Sequence, residues 1–295
     1  MHDAIAVERL TKRYQKSTAV DDLSFSVSKG SIVALLGPNG SGKTTTLDCM
    51  TGLRRATSGE VCYQGYPLTP ALFQRLAYVP DYCPCYASLS VADHVEMTRR
   101  QFTAFEIERA QALLTRFSLD PRSRVGTLSK GQRTALSMTL AFAVRRDYFI
   151  PDEPTSWLDP AAQRQALDVL VEAASDGASI LISTHNVAHI ERVADGVVII
   201  SKGRLVVSEA TEELLASHKR VEAVFESAEA ATRFAQGCAI GADSLGSVVR
   251  IYVNGDAAEF VAAANGLGAR SVRVVDCSLE DVYLEEIARA ARTEA

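Results

Sequence analysis

The sequence predicts an α/β fold in which a mostly parallel β-sheet is flanked by helices, with antiparallel strands before it and a small α+β domain after it. Short apolar segments, such as 32–36, 148–150 and 179–183, have the length and composition of buried strands. Helix-start patterns separate these segments along the chain. A glycine-rich loop at 37–44 joins an apolar segment to a helical one. This alternation of strands and helices is typical of a parallel sheet with helices on both faces.

The N-terminal part of the chain is predicted to begin with antiparallel strands. Apolar Leu23, Phe25 and Val27 alternate with serines, a period-2 pattern typical of a half-buried strand. Ile5 and Val7 predict a neighbouring strand. Further short strands are predicted at 61–64, 76–79 and 197–201.

Helix starts are predicted where a residue that can cap a helix precedes an amphipathic stretch. Asp159 is followed by Pro160, which suits the first helical position because its missing N–H costs nothing there. Asn186 predicts the cap of a short helix. Three capping-box pairs predict the helices of an insert at about 86–145, namely Ser90 with Asp93, Thr103 with Glu106, and Ser129 with Gln132.

The pattern changes after the first predicted domain, 1–215. Residues 216–295 are predicted to form a small α+β domain that regulates the protein or holds a second copy. Ser278 with Asp281 predicts the cap of its last helix, and a hairpin partner near Ala239 would complete a split βαβ unit. The predicted strands are 221–225, 248–253 and 271–275, and the predicted helices are 228–235 and 257–264.

The composition of the 295 residues argues against several classes of function. The net charge is −5 and no basic stripe is visible, so a nucleic-acid partner is not expected. We expect a cytoplasmic chain, because no apolar run reaches bilayer length and no secretory signal is recognisable. The six cysteines are scattered, and the close pair Cys83 and Cys85 lacks the further ligands that a metal site needs.

The glycine-rich loop fits the phosphate-binding pattern of two glycines separated by four residues and followed by Lys43 and Thr44. Glycines let the backbone wrap closely around a phosphate, and the following helix N-terminus adds a partial positive charge. Lys43 can neutralise the β and γ phosphates, and the Thr44 hydroxyl can ligate Mg²⁺. The alternative is a glycine-rich turn without a ligand. The candidate ATP-binding residues here are Gly37, Pro38, Asn39, Gly40, Ser41, Gly42, Lys43, Thr44 and Thr45.

Two acidic residues follow the apolar segment 148–150. In phosphate-loop ATPases an Asp at a strand tip holds Mg²⁺, which indicates this role for Asp152. The adjacent Glu153 can act as the general base for the attacking water. Alone, this pair is equally consistent with a strand that ends in solvent, but it follows the segment 128–132, Leu-Ser-Lys-Gly-Gln, at a characteristic distance.

In this order, the segments resemble the nucleotide-binding subunit of an ABC transporter, over roughly residues 3–215. The resemblance implies that two subunits, expected to be a homodimer, enclose two ATP molecules with Mg²⁺. It implies that Ser129, Gly131 and Gln132 grip the γ-phosphate that the other subunit binds. It also implies that Tyr14 stacks on adenine, that His185 contacts the γ-phosphate or positions Glu153, and that Asp159 crosses the dimer interface. The alternatives for Tyr14 and His185 are an ordinary half-buried tyrosine and a satisfied loop histidine.

Four positions depart from the family pattern. Lys130 and Trp157 stand where glycine is usual, and Pro151 removes a strand N–H just before Asp152. Asp81 stands where a glutamine usually ligates Mg²⁺, and its carboxylate keeps a hard oxygen ligand there.

The resemblance implies an ATPase subunit that powers a separate integral membrane permease, and the C-terminal segment 278–284 resembles the drug- and polysaccharide-export branch. The insert would supply the docking surface. A regulatory cassette with weak or no hydrolysis is the main alternative, which Asp81, Pro151 and Trp157 favour. A relative that acts on ribosomes or DNA and a phosphate-loop kinase are the others.

Overall fold

The computed structural model describes residues 3–238 and 242–293, which divide into two compact units. The first unit comprises Met1–Asn186 with Val193–Ser208, and the second comprises Val187–Arg192 with Glu209–Ala295. By compactness, the first unit ends at Ser208, and the segment Val187–Arg192 groups with the second unit. The domain boundary at residue 215 stays a prediction.

The first unit is built on two sheets. One is an antiparallel sheet of order β2-β1-β4-β5, and the other has the order β10-β9-β3-β8-β7-β6, with parallel pairing from β9 through to β6. Its strands are β1 (Ile5–Tyr14), β2 (Ser17–Val27), β3 (Ile32–Leu36), β4 (Ser58–Tyr63), β5 (Tyr66–Pro67), β6 (Leu76–Val79), β7 (Tyr148–Pro151), β8 (Ser179–Ser183), β9 (Gly196–Ser201) and β10 (Arg204–Ala210). Its helices are α1 (Lys43–Met50), α2 (Val91–Gln101), α3 (Ile107–Arg116), α4 (Lys130–Phe142) and α5 (Pro160–Ser175).

The hydrophobic core of the first unit joins these two sheets. Leu10, Leu23 and Leu47, from β1, β2 and α1, pack in one buried cluster with Leu35 and Leu181 of the parallel sheet. Because β3 and β8 are buried along their whole length, their apolar residues are consecutive, at 32–36 and 180–182, rather than alternating. The predicted α/β class with antiparallel N-terminal strands is confirmed.

Of the three capping boxes predicted for the insert, two form and one does not. Ser90 and Ser129 form complete capping boxes at the starts of α2 and α4. The prediction for Thr103 is wrong, because Glu106 is itself the N-cap residue of α3 and makes no side-chain cap hydrogen bond. The backbone at Phe105 is extended instead, because this residue forms an isolated antiparallel β-bridge with Val144.

The second unit is an antiparallel sheet of order β12-β13-β11-β14. With helices after β11 and β13, this is the predicted split βαβ unit, whose core includes Val221, Phe225, Phe234 and Ile251. The hairpin partner expected near Ala239 lies outside the described residues, and the described strand begins at Ala242. The strands are β11 (His218–Phe225), β12 (Ala242–Leu245), β13 (Val248–Asn254) and β14 (Ala269–Asp276), and the helices are α6 (Val187–Ile190), α7 (Thr211–Ser217), α8 (Ala228–Gly237), α9 (Ala258–Gly266) and α10 (Leu279–Thr293).

Across residues 3–238 and 242–293, none of the helices combines the length and the apolar character that crossing a bilayer requires.

Candidate nucleotide site

The glycine-rich loop connects β3, which ends at Leu36, to α1, which begins at Lys43. Gly42 is the N-cap residue of α1 and has a left-handed backbone with φ of 106°. A Cβ atom on Gly42 would lie 2.4 Å from the carbonyl oxygen of Ala19, so a side chain there would collide with β2. The sequence therefore needs glycine here for two reasons, the positive φ and the close backbone approach.

Lys43 is 9% exposed and its ammonium group remains inside the loop. Its Nζ atom donates to the carbonyl oxygens of Gly37, at 2.6 Å, and Pro38, at 3.3 Å. Burial lowers the pKa of Lys43, while the nearby carboxylates of Glu153 and Asp152 act in the opposite direction. The geometry holds a cation where the loop would receive a phosphate.

Asp152 follows the last residue of β7 and is 2% exposed. Its backbone N–H donates to the carbonyl oxygen of Val79, and its carboxylate accepts from the hydroxyls of Thr44, at 3.1 Å, and Ser183. Burial raises the pKa of Asp152, the hydrogen bonds from Ser183 and Thr44 oppose this rise, and the negative charges of Asp81 and Glu153 add to it. The site thus contains a buried carboxylate whose charged form would be favoured by a nearby cation.

Glu153 has a positive φ of 53° and starts the turn that leads to α5. Its backbone N–H donates to the carbonyl oxygen of Ser183 at 3.0 Å. Its Oε2 atom accepts a hydrogen bond from the Ser156 hydroxyl at 3.1 Å and lies 2.7 Å from Nδ1 of His185. The Glu153 side chain is 18% exposed and that of His185 is 67% exposed, so the pair lies where the site meets solvent.

A single cavity of about 310 Å³ brings the central predicted residues together. The predicted residues that line it are Asn39, Gly40, Ser41, Gly42, Lys43, Thr44, Thr45, Asp81, Asp152 and Glu153. Ala19 also lines it and was missed, because only the fold brings β2 against the loop and no local signal marks a lone alanine. The fold thus brings the glycine-rich loop together with Asp81 and with the pair Asp152 and Glu153, which are far apart in the chain.

The remaining predicted residues do not line this cavity. Gly37 and Pro38 accept the Lys43 hydrogen bonds, and His185 contacts Glu153. Tyr14 is 40% exposed, with Nζ of Lys12 lying 5.3 Å from its ring centre. The others, Ser129, Gly131, Gln132 and Asp159, lie at helix starts.

At the start of α4, the Ser129 hydroxyl accepts from the N–H of Gln132, and the Gln132 side chain accepts from the N–H of Ser129. Asp159 caps α5 through the N–H groups of Ala161 and Ala162. These contacts account for the local structure at both positions, and a role toward a second subunit stays a prediction.

The oxygen atoms of Thr44, Asp152 and Asp81 suit a hard cation such as Mg²⁺. In the described parts of the chain, His, Cys, Asp and Glu side chains form no group of three or more that could hold a metal. Mg²⁺ in phosphoryl-transfer sites needs no such group, because one or two carboxylates bind it together with phosphate oxygens and waters.

The fold and this cavity define a phosphate-loop ATPase of the ABC class. A family model described as ABC transporter matches residues 20–156. The SkfA peptide export ATP-binding protein SkfE of Bacillus subtilis is 34% identical over 205 residues, which cover 68% of this chain and 86% of that protein. The chain belongs to the ABC transporter ATP-binding family, and membership implies ATP hydrolysis. This assignment removes the kinase alternative.

Two further comparisons agree. The Nod factor export ATP-binding protein I of Cupriavidus metallidurans is 30% identical over 299 residues, covering 98% of each chain. A solved ATP-binding subunit of an ABC transporter superposes with a TM-score of 0.68 at 30% identity, over 72% of this chain and 92% of that one. These relatives support a transport subunit rather than a regulatory cassette.

Proposed function

We propose that this chain hydrolyses ATP to power a separate integral membrane permease, as an exporter subunit at the cytoplasmic face of the membrane. The observation that carries the proposal is the convergence of Lys43, Thr44, Asp152 and Glu153 on one cavity. Export is supported by relatives that are named as peptide, Nod factor and lantibiotic transport proteins.

ATP binding rests on the loop. Backbone N–H groups at the start of α1 and the ammonium of Lys43 bind the phosphates, and the low exposure of Lys43 strengthens its interaction with them. Tyr14 stacks on the adenine ring. Thr44, Asp152 and Asp81 would hold Mg²⁺, which when bound neutralises charge on the β- and γ-phosphate oxygens.

Hydrolysis rests on Glu153. Its carboxylate accepts a proton from the water that attacks the γ-phosphate in line. The contacts of Oε2 with His185 and Ser156 hold the carboxylate in one orientation, and His185 adds a donor near the transferring phosphoryl group.

Two copies of this chain together form two complete ATP sites. Ser129, Gly131 and Gln132 of one copy grip the γ-phosphate bound by the other, with Asp159 at the interface between them. The support is that Ser129 and Asp159 are exposed and cap the N-termini of α4 and α5, where anions are favoured. The insert at about 86–145 docks on the permease, and residues 216–295 regulate the assembly or hold the second copy.

The test is ATP turnover by Glu153→Gln, which keeps the shape of the side chain but removes the base. We expect kcat to fall by about 10²–10⁴ while ATP binding is retained. The matched control is Glu226→Gln, in the second unit and with 71% of its side chain exposed, which should hydrolyse ATP like the wild type. Wild-type turnover by Glu153→Gln would refute the proposed base.

Coupling to a permease needs its own experiment. The first step is to identify, among the coding sequences next to its gene, one for a polytopic membrane protein, which would be co-expressed with the chain and purified with it in detergent. We expect a stable complex whose ATPase rate depends on the membrane partner. Failure to co-purify, with ATP turnover intact, would refute the transport role but not the chemistry.

A further inference from the structure

Two residues that the hydrolytic scheme does not use lie against one another. Nζ of Lys130 lies 3.2 Å from the centre of the Trp157 ring, a cation–π contact. Lys130 is the first residue of α4, and Trp157 lies in the segment that connects β7 to α5. Both side chains are exposed, Trp157 by 61%, so apolar burial alone does not hold them together.

The backbone makes a second contact at the same place. A Cβ atom on Gly131 would lie 2.5 Å from the carbonyl oxygen of Trp157, which is too close for any side chain. The first turn of α4 therefore packs directly on the Trp157 peptide. Lys130 thus contacts the side chain of Trp157, and Gly131 packs against its backbone.

Trp157 needs such support because its backbone is left-handed, with φ of 69°. A bulky residue in this region is strained, and the conformation persists only where the surroundings enforce it. Lys130 and Gly131 supply contacts of that kind.

The turn links Trp157 to Glu153. Ser156, the residue before Trp157, donates its N–H to the carbonyl oxygen of Glu153 at 3.0 Å and its hydroxyl to the Glu153 carboxylate at 3.1 Å. A shift of the Trp157 peptide would therefore move the Ser156 hydroxyl and release the carboxylate that it orients.

We propose that Lys130 and Trp157 are a positioning pair, in which the ammonium held over the indole ring fixes the turn at 153–157 and thereby the orientation of the Glu153 carboxylate. This inference rests on the proposed role of Glu153 in hydrolysis. Neither residue lines the cavity that Lys43 and Glu153 share, and each acts on Glu153 through Ser156 and the turn.

The experiment measures kcat and KM for ATP in Lys130→Met, Trp157→Leu and the double variant. An exposed cation–π contact corresponds to a factor of about two to five, so we expect each single variant to lower kcat by about that factor with KM unchanged. The double variant should lose no more than either single variant, because residues that act as one unit are non-additive. Lys130→Arg and Trp157→Phe, which keep a cation and an aromatic face, should retain most of the activity.

Trp157 is the only tryptophan of the chain, so its fluorescence reports on the contact directly. We expect Lys130→Met to change the emission spectrum and Lys130→Arg to change it little. Circular dichroism would confirm that each variant is folded. Glu153→Gln is measured in parallel: if it hydrolyses ATP normally, the proposed base fails, whichever way the pair behaves.

Three results would overturn the pairing itself. Unchanged kcat in both single variants, with a lower melting temperature, would make the contact merely stabilising. Additive losses would mean that the two residues act separately. A raised KM in Lys130→Met, with Trp157→Leu normal, would mean that Lys130 contacts nucleotide on its own.

Discussion

Two buried charged side chains of the first unit, Lys43 and Asp152, face a shared cavity, whereas His218 and Glu286, both buried in the second unit, contact each other. Lys43 donates to main-chain carbonyls and Asp152 accepts from hydroxyls. In the second unit, Nε2 of His218 lies 3.4 Å from Oε1 of Glu286, which Arg289 also contacts at 3.1 Å. The first pattern pairs charges with neutral groups, and the second pairs charge with charge.

The directions of the pKa shifts separate the two patterns. Burial lowers the pKa of Lys43 and raises that of Asp152, so both charged forms are disfavoured in the folded chain. The hydrogen bond between His218 and Glu286 raises the pKa of the histidine and lowers that of the glutamate, so both charged forms are favoured. Buried groups whose charged form is disfavoured are typical of a binding site, whereas buried groups that stabilise each other's charge are typical of a structural ion pair.

The largest effect that would test this comparison is expected from His218→Ala. It removes one of the two partners of the buried Glu286 carboxylate, leaving Arg289, and it empties the space that the imidazole ring fills, so we expect the free energy of unfolding to fall by about 2–4 kcal/mol. Because none of the residues described in the second unit lines the cavity, the ATP affinity should stay within about twofold of the wild type. Urea unfolding followed by circular dichroism, together with ATP titration, measures both quantities.

The same pair predicts a pH dependence. The raised pKa of His218 gives stability that is complete below its ordinary value of 6.5 and is lost as the pH rises through the raised value. The lowered pKa of Glu286 gives stability that is complete above 4.5 and is lost as the pH falls through the lowered value. The contribution of the pair is therefore greatest between these two values. Equal pH profiles for wild type and His218→Ala would contradict the structural role.

The next effect is expected from Lys43→Met, which keeps the length of the side chain but removes its charge. A charge-assisted hydrogen bond contributes about 1.5–3 kcal/mol, so the Kd for ATP should rise by about 10- to 100-fold. Since the folded state disfavours the charged form of Lys43, the free energy of unfolding without ATP should stay the same or rise. Lys29→Met, at an exposed position of the same unit, is the control. Marked destabilisation with normal ATP affinity would mean that Lys43, like His218 and Glu286, stabilises the fold rather than binding ATP.

Local sequence patterns predicted most of the first unit because its signals are short-range. The β3–loop–α1 arrangement and the caps at Ser90, Ser129 and Asp159 depend on residues within a few positions of one another. Thr103 failed because the capping-box spacing there is satisfied by chance, while the chain forms a bridge at Phe105.

Contacts between residues far apart in the chain could not be predicted from local sequence patterns. Residues 187–192 group with the second unit, where the side chain of Glu191 accepts from the N–H of Leu279 at 2.8 Å, and no local pattern encodes this. The same holds for Ala19 at the cavity. Lys130 and Trp157 each looked like a departure from the family pattern, and only the fold puts them in contact.

The smallest effect is expected from replacing the serines at two matched helix caps. Ser129 starts α4 in the first unit and Ser278 starts α10 in the second, and each hydroxyl accepts from the N–H three residues later. Replacing either serine by alanine should lower the free energy of unfolding by about 1 kcal/mol, since the helix N-terminus loses one acceptor. Only Ser129→Ala should also lower kcat and weaken ATP-dependent dimerisation, because only that cap is proposed to meet a phosphate.

The paired design removes the effect of capping itself. If both variants lose the same stability and only Ser129→Ala loses turnover, the hydroxyl of Ser129 acts on the nucleotide as well as on its own helix. If both lose stability and both hydrolyse ATP normally, Ser129 is a cap like Ser278. The first unit would then keep its chemistry within the cavity that Lys43 and Glu153 line, and the proposed grip across two copies would rest on backbone N–H groups alone.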